Sequence, residues 1–192
     1  GGGRYRSPGE ITIEGDWSNA AFWAVSGAIG VSPVIIKGLS FRSLQGDRII
    51  EKLIIEFGLM VRREQKSTLE IHWGRTRGIT IDAKQIPDLV PALAVLGALA
   101  EGETRITNAA RLRLKESDRL KAITAMLSAL GADITEGEDS LTIIGKARLN
   151  GGTIDSAGDH RIAMAAAICA QRCKYPVTIL GADAVNKSYP SF

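Results

Sequence analysis

The feature that most constrains this chain is a period of 71 residues. Ala21, Ala92 and Ala163 are spaced by 71, and so are Gln45, Glu116 and Lys187. Asp47-Arg48 recurs as Asp118-Arg119 at the same offset. Repetition at this length means one supersecondary unit copied along the chain, each copy burying its apolar face against its neighbours.

The copies read alike. A short strand, Ile11-Thr-Ile13 or Ile79-Thr-Ile81, leads to an aspartate, Asp16, Asp88 or Asp159. An alanine-rich helix follows, over 19–28, 89–100 and 161–170. Aspartate suits the position before such a helix, because its carboxylate accepts the free N–H groups of the first turn. A β-branched strand comes next, at Val34-Ile-Ile36, Thr104-Arg-Ile106 and Val177-Thr-Ile179. A polar turn opens a second helix over 47–57 or 117–130, closed by Gly58 or Gly131. Two hairpin strands finish the unit, at 133–135 and 141–144 in the second copy.

The order β-α-β-α-β-β predicts an α/β fold, in an α+β arrangement, forming one domain of three repeats with pseudo-threefold symmetry. The repeats fall at about 8–78, 79–148 and 149–192. The third stops at Phe192, where its second helix is due, so its remaining elements are expected in further sequence.

Composition narrows the class. Apolar residues make up 45% of the 192, which suits a globular core, and the net charge is only +3. Basic residues alternate with acids, so no nucleic-acid footprint is expected. No apolar run is long enough to span a membrane, and Gly1-Gly2-Gly3-Arg4 lacks the apolar core of a signal peptide. A cytoplasmic location is expected, with the glycines read as a domain-crossing linker or a cloning remnant. Cys169 and Cys173, four apart on one predicted helix, are read as packed, reduced thiols. They supply too few ligands for a metal, and none is expected.

The densest signal is Arg113-Leu-Lys115-Glu116-Ser117-Asp118-Arg119-Leu120. One reading is a solvated helix start with local ion pairs, capped by Ser117 or Asp118. The other is an anion site, since a helix N-terminus attracts anions and Lys115 and Arg119 add charged donors. Glu116 among those cations would be a positioned acid or base. Asp159-His160-Arg161 divides the same way, between a capped helix start with exposed side chains and an anion grip by Arg161. Asp88, after Ile86-Pro87, reads alone as an N-cap, and Lys187 alone as a surface lysine. The repeat brings equivalent loops to one end of the domain, so Gln45, Glu116 and Lys187 are expected to meet there, in a site for a polyanionic ligand.

These motifs resemble those of the 5-enolpyruvylshikimate-3-phosphate synthases. The residues carrying the likeness are Arg113 with Lys115-Glu116-Ser117-Asp118-Arg119-Leu120, Ile86-Pro87-Asp88, Asp159-His160-Arg161-Ile-Ala-Met164 and Lys187-Ser188-Tyr189-Pro190, with Glu14-Gly15-Asp16-Trp17-Ser18 at the domain entry. They run in order along essentially the whole chain. The resemblance implies two domains, each of three such units, with substrates held between them at helix N-termini. It also implies transfer of the enolpyruvyl group of phosphoenolpyruvate to the 5-hydroxyl of shikimate 3-phosphate, with no cofactor. Asp88 would contact the shikimate hydroxyls and act as base, and Glu116 would act in proton transfer. Lys115 would touch shikimate 3-phosphate. Arg119, Arg161 and Lys187 would bind phosphoenolpyruvate, with His160 a further neighbour. The other domain's Lys-Ser motif, its glycine-rich run and its serine cluster are not in this sequence, so the chain alone is expected to be inactive.

Three other readings stand beside this one. A UDP-amino-sugar enolpyruvyl transferase is disfavoured by the Lys-Glu-Ser-Asp-Arg run. A terminal-phosphate RNA cyclase would bind nucleotides and use a histidine in another context. A non-catalytic fragment would act as a scaffold.

Overall fold

The computed structural model describes residues 6–65 and 67–192. The first copy holds α1 (Trp17–Ile29), β1 (Val34–Lys37), α2 (Ile50–Glu56), β2 (Val61–Glu64) and β3 (Thr68–Ile71). The second holds β4 (Thr80–Asp82), α3 (Val90–Leu99), β5 (Glu103–Thr107), α4 (Arg119–Ala129), β6 (Asp133–Glu136) and β7 (Leu141–Ile144). The third holds β8 (Gly152–Asp155), α5 (His160–Cys169) and β9 (Val177–Leu180). Short 3-10 turns at Gly46–Ile49, Ala110–Leu114, Ala170–Arg172 and Ala182–Lys187 precede or extend these elements.

The core lies where α1, α3 and α5 pack against one another, each backed by its own sheet. α3 is buried from Val90 to Ala98 on every side, which explains why its sequence shows no polar face. Alanine allows the close approach, and glycine allows it further. A Cβ added at Gly27 would stand 2.9 Å from the Val34 side chain, and one at Gly97 would stand 2.9 Å from that of Thr104. Both clashes fall at the same helix–strand crossing in successive copies.

Each copy has a separate sheet. The first has order β1-β3-β2 and is antiparallel throughout. The second, β4-β5-β7-β6, adds β4 parallel to β5, and the third pairs β8 with β9 in parallel.

The expected strand at Ile11–Ile13 does not form, and Ile11 and Ile13 are 71% and 89% exposed. One bond, from Gly15 N–H to the Gly38 carbonyl, stands where Ala83-to-Thr107 and Ser156-to-Leu180 bonds extend the parallel pairs of the other copies. The entry segment is held by its side chain instead: the Glu14 carboxylate accepts from the Ser43 hydroxyl and the Gln45 amide. Three alternating residues signal a strand without naming a partner.

Two helix assignments also shift. The helix expected over 47–57 starts as the 3-10 turn Gly46–Ile49, which has no side-chain cap, and only then becomes α2. α4 has a cap at Asp118, whose carboxylate accepts the Lys121 N–H, and begins cleanly. Gly58 and Gly131 follow the two helices at φ +101° and +88°, a conformation that favours glycine. α5 stops at Cys169, so Cys173 lies beyond the helix and not on its face. Both thiols are free, and that of Cys173 donates to the Cys169 carbonyl at 3.5 Å.

Candidate active site

The site forms where α3, α4 and α5 begin. At α5, Asp159 is the N-cap: its carboxylate accepts the Arg161 N–H at 2.9 Å. The same carboxylate takes Arg119 from the first turn of α4, with Nε to Oδ2 at 2.7 Å, and the Ser117 hydroxyl at 3.1 Å. Arg119 is 1% exposed and Asp159 0%. A buried arginine needs acceptors for most of its five donors, and Arg119 finds two more in Asp88 (2.7 Å) and Glu116 (2.6 Å). One guanidinium thus ties together three carboxylates from the starts of three helices.

Asp88 does not cap α3, as its sequence position predicted. The helix starts one residue later, with Leu89 as an N-cap without a side-chain bond and Pro91 in the first turn. Proline lacks an N–H, so this helix start has one donor fewer to satisfy. Asp88 is left to face Arg119, Lys115 at 3.1 Å and Arg161 at 3.6 Å. Burial opposes its charge, but Arg161, Lys115 and Arg119 outweigh that and hold its pKa below the usual aspartate range.

Glu116 bridges the second and third copies. Its Oε2 pairs with Arg119 and its Oε1 with Lys187 at 3.3 Å. Burial works against the charged form, yet its own backbone N–H, Arg119 and Lys187 keep its pKa below the ordinary glutamate value. Lys187 ends the Ala182–Lys187 turn and is the most open of the four cations, with 59% of its side chain exposed. Arg161 is buried and bonds the Ser18 hydroxyl at 2.9 Å. His160 is buried, and its Nδ1 has no hydrogen-bond partner among the described residues. Burial first, then Arg161, pushes its pKa down, so the imidazole is neutral at pH 7.

The structure therefore gathers Asp88, Lys115, Glu116, Arg119, Arg161 and Lys187 on one face, joined by ion pairs. Other residues go elsewhere. Arg113 turns to Asp118, Glu136 and the Gly137 and Glu138 carbonyls. Gln45 does not meet Glu116 but bonds the Trp17 N–H and the Gly15 carbonyl. Three participants escaped the sequence reading. Asp159 is the acceptor for Arg119 as well as a cap, and Ser18 is the acceptor for Arg161. Asp47 is half-buried, and burial, then Asp88, pushes its carboxyl up to about 6. The Asp-x-Ser of the first copy standing opposite the Asp-x-Arg of the third was a signal for Ser18. No group of three or more His, Cys, Asp or Glu able to hold a metal occurs among the described residues. No helix among them is long and apolar enough to cross a membrane.

Three packed α/β units with charged helix starts gathered on one face have the fold of the enolpyruvyl transferases. An EPSP synthase structure from Acinetobacter baumannii superposes with a TM-score of 0.84 at 32% identity, covering 93% of this chain and 44% of that one. The enolpyruvyl transferase NikO from Streptomyces tendae shares the fold at a TM-score of 0.74 and 21% identity, over 93% of this chain and 41% of that one. The chain belongs to the family EPSP synthase (3-phosphoshikimate 1-carboxyvinyltransferase), whose family model matches residues 1–192. A 3-phosphoshikimate 1-carboxyvinyltransferase from Clostridium kluyveri is 50% identical over 183 residues, 95% of this chain and 42% of that protein. The chain thus spans less than half the length of the curated relatives it matches.

Proposed function

We propose that this chain supplies one wall of an enolpyruvyl-transfer site acting on phosphoenolpyruvate and shikimate 3-phosphate. The observation that carries the reading is the grip on Glu116. Arg119 and Lys187, 68 positions apart in sequence, already hold the two oxygens of one carboxylate. Two cations so spaced suit the carboxylate or phosphate of a small anion.

In this reading the 5-hydroxyl oxygen of shikimate 3-phosphate attacks C2 of phosphoenolpyruvate while the methylene carbon gains a proton. The tetrahedral adduct then loses a methyl proton and inorganic phosphate. Asp88, ionised and beside Lys115, takes the hydroxyl proton, and Lys115 meets the shikimate phosphate. Arg119, Arg161 and Lys187 hold phosphoenolpyruvate, and His160 donates or accepts as a neutral neighbour. A ligand anion that draws Arg119 and Lys187 off Glu116 leaves its own backbone N–H as the remaining support for its charge, so binding moves Glu116 toward carrying a proton. The remaining wall comes from a second domain of the same enzyme. No cofactor, nucleic acid or membrane enters the reading, and its free thiols suit a cytoplasmic setting.

The test is phosphate release from the two substrates. The chain alone is expected to give none, because water exclusion and the rest of the constellation come from domain closure. Adding the portion of the Clostridium kluyveri relative that this chain does not match is expected to restore turnover, and Asp88→Asn to abolish it. Restored turnover that survives Asp88→Asn overturns the assignment of the base, and turnover by the chain alone overturns the half-site.

A further inference from the structure

We propose that Ser18 is a positioning residue for Arg161, aiming its guanidinium through a relay that begins at Asp16. The inference rests on the reading above, in which Arg161 holds an anion.

Arg161 has a long, rotamer-rich side chain, and something must fix it where it is useful. Its own backbone N–H is taken by Asp159. Its guanidinium makes one short bond, from Nη2 to Ser18 Oγ at 2.9 Å. Contacts with Asp88 are longer, 3.4 Å to the backbone carbonyl and 3.6 Å to the carboxylate. Ser18 is buried and its hydroxyl has a single proton, which goes to Asp16 Oδ1 at 2.8 Å. The lone pairs are then left for Arg161. The same Oδ1 accepts the Ser18 N–H at 2.8 Å, so the cap of α1 fixes the backbone that carries the hydroxyl. Negative charge at Asp16 strengthens the hydroxyl as an acceptor, and the chain of bonds is charge-assisted at both ends.

The relay has a specific consequence. Without the hydroxyl, the nearest acceptor left to Nη2 is the Asp88 carboxylate. Arg161 would close the 3.6 Å gap and pair with Asp88, turning away from a ligand. Ser18 keeps Arg161 at 3.6 Å from the Asp88 carboxylate, a looser pair than those Asp88 makes with Lys115 and Arg119. The first copy, which contributes none of the four cations, thereby takes part in the site.

The test is calorimetric titration of inorganic phosphate into the full chain and its variants. Ser18→Ala is expected to weaken binding about fivefold, the scale of one typical net hydrogen bond. Ser18→Thr, which keeps the hydroxyl, should bind within about twofold of the unaltered chain, on the scale of a few tenths of a kcal/mol. The loss should vanish in an Arg161→Ala background, because a residue acting through Arg161 has nothing left to act on. Should Ser18→Ala not fold, Asp16→Asn keeps the capping oxygen while removing the charge, and its smaller loss should likewise vanish with Arg161→Ala. A full loss that persists without Arg161, or no loss at all, overturns the relay and leaves the site reading intact. Unchanged phosphate affinity in Arg161→Ala, or no binding by the unaltered chain, overturns the site reading itself.

Discussion

Arg119 Nε lies 2.7 Å from Asp159 Oδ2, and both side chains are sealed from solvent. A buried pair of this kind is destabilising to break, because the survivor keeps its charge and loses its partner. Arg119→Ala should lower unfolding stability by about 3–5 kcal/mol in urea titrations, since Asp159 stays buried without a counter-charge. Lys187→Ala, at the open edge of the same network, should change it by less than about 1 kcal/mol. Similar losses from both would mean that the network is stabilised as a diffuse cloud of charge and not through its buried hub.

Asp47 gives the protein a pH dependence. Its native pKa of about 6 stands above its ordinary 3.8, so the native state holds this proton more tightly than the unfolded chain does. The stabilisation is complete below about pH 4 and lost as pH rises through 6. Asp47→Asn should therefore raise stability by about 1–2 kcal/mol at pH 7.5, after allowing for solvent screening of a half-buried group. The gain should disappear below about pH 4, where Asp47 is protonated in both states. Melting curves from pH 3.5 to 8 would show it, and a gain independent of pH would rule it out.

Thr104 is fully buried, and its hydroxyl has no hydrogen-bond partner among the described residues. Val34 fills the matching place in the first copy, against Gly27, as Thr104 does against Gly97. Thr104→Val keeps the shape and removes an unsatisfied hydroxyl, so it should stabilise by about 1 kcal/mol. A lowered melting temperature would show that the hydroxyl has a partner after all.

In the proposed site, Glu116 competes with a bound anion for Arg119 and Lys187, which it already pairs with. Glu116→Gln should strengthen phosphate binding by the chain, about three- to tenfold, as a charge-assisted competitor becomes a neutral one. Binding should weaken with added salt in both proteins. Arg62→Ala, on exposed β2, should leave affinity unchanged, and an equal effect there would point to general charge in place of a formed site.

Much of this architecture was legible because repetition repeats its evidence. Glycines at 58 and 131, aspartates before alanine runs and β-branched triplets each occur more than once, so a local signal is checked by its copy. Clustering of the charged residues followed from the same periodicity. What was not legible depended on partners distant in sequence. Ile11–Ile13 alternates like a strand but does not pair, and the chain beside it is held through Glu14 by Ser43 and Gln45, about thirty positions away. Asp159 reads as a cap, and nothing local reveals that its other oxygen faces Arg119, 40 positions away. Cys173 shared helical spacing with Cys169, but α5 ends between them, where the apolar run gives way to Gln171-Arg172.

Asp16 and Asp159 both close the first turn of a helix, whereas Asp88, at the matching place, does not. The difference is not in the side chain, which is aspartate three times, but in the phase of the helix behind it. Starting α3 one residue late leaves the carboxylate unclaimed by the backbone and free to face three cations. In a repeated scaffold, a one-residue shift in where a helix begins therefore changes what the same aspartate faces. A change that let α3 begin a residue earlier would turn the Asp88 carboxylate toward the backbone N–H groups of its own helix and away from Lys115 and Arg161.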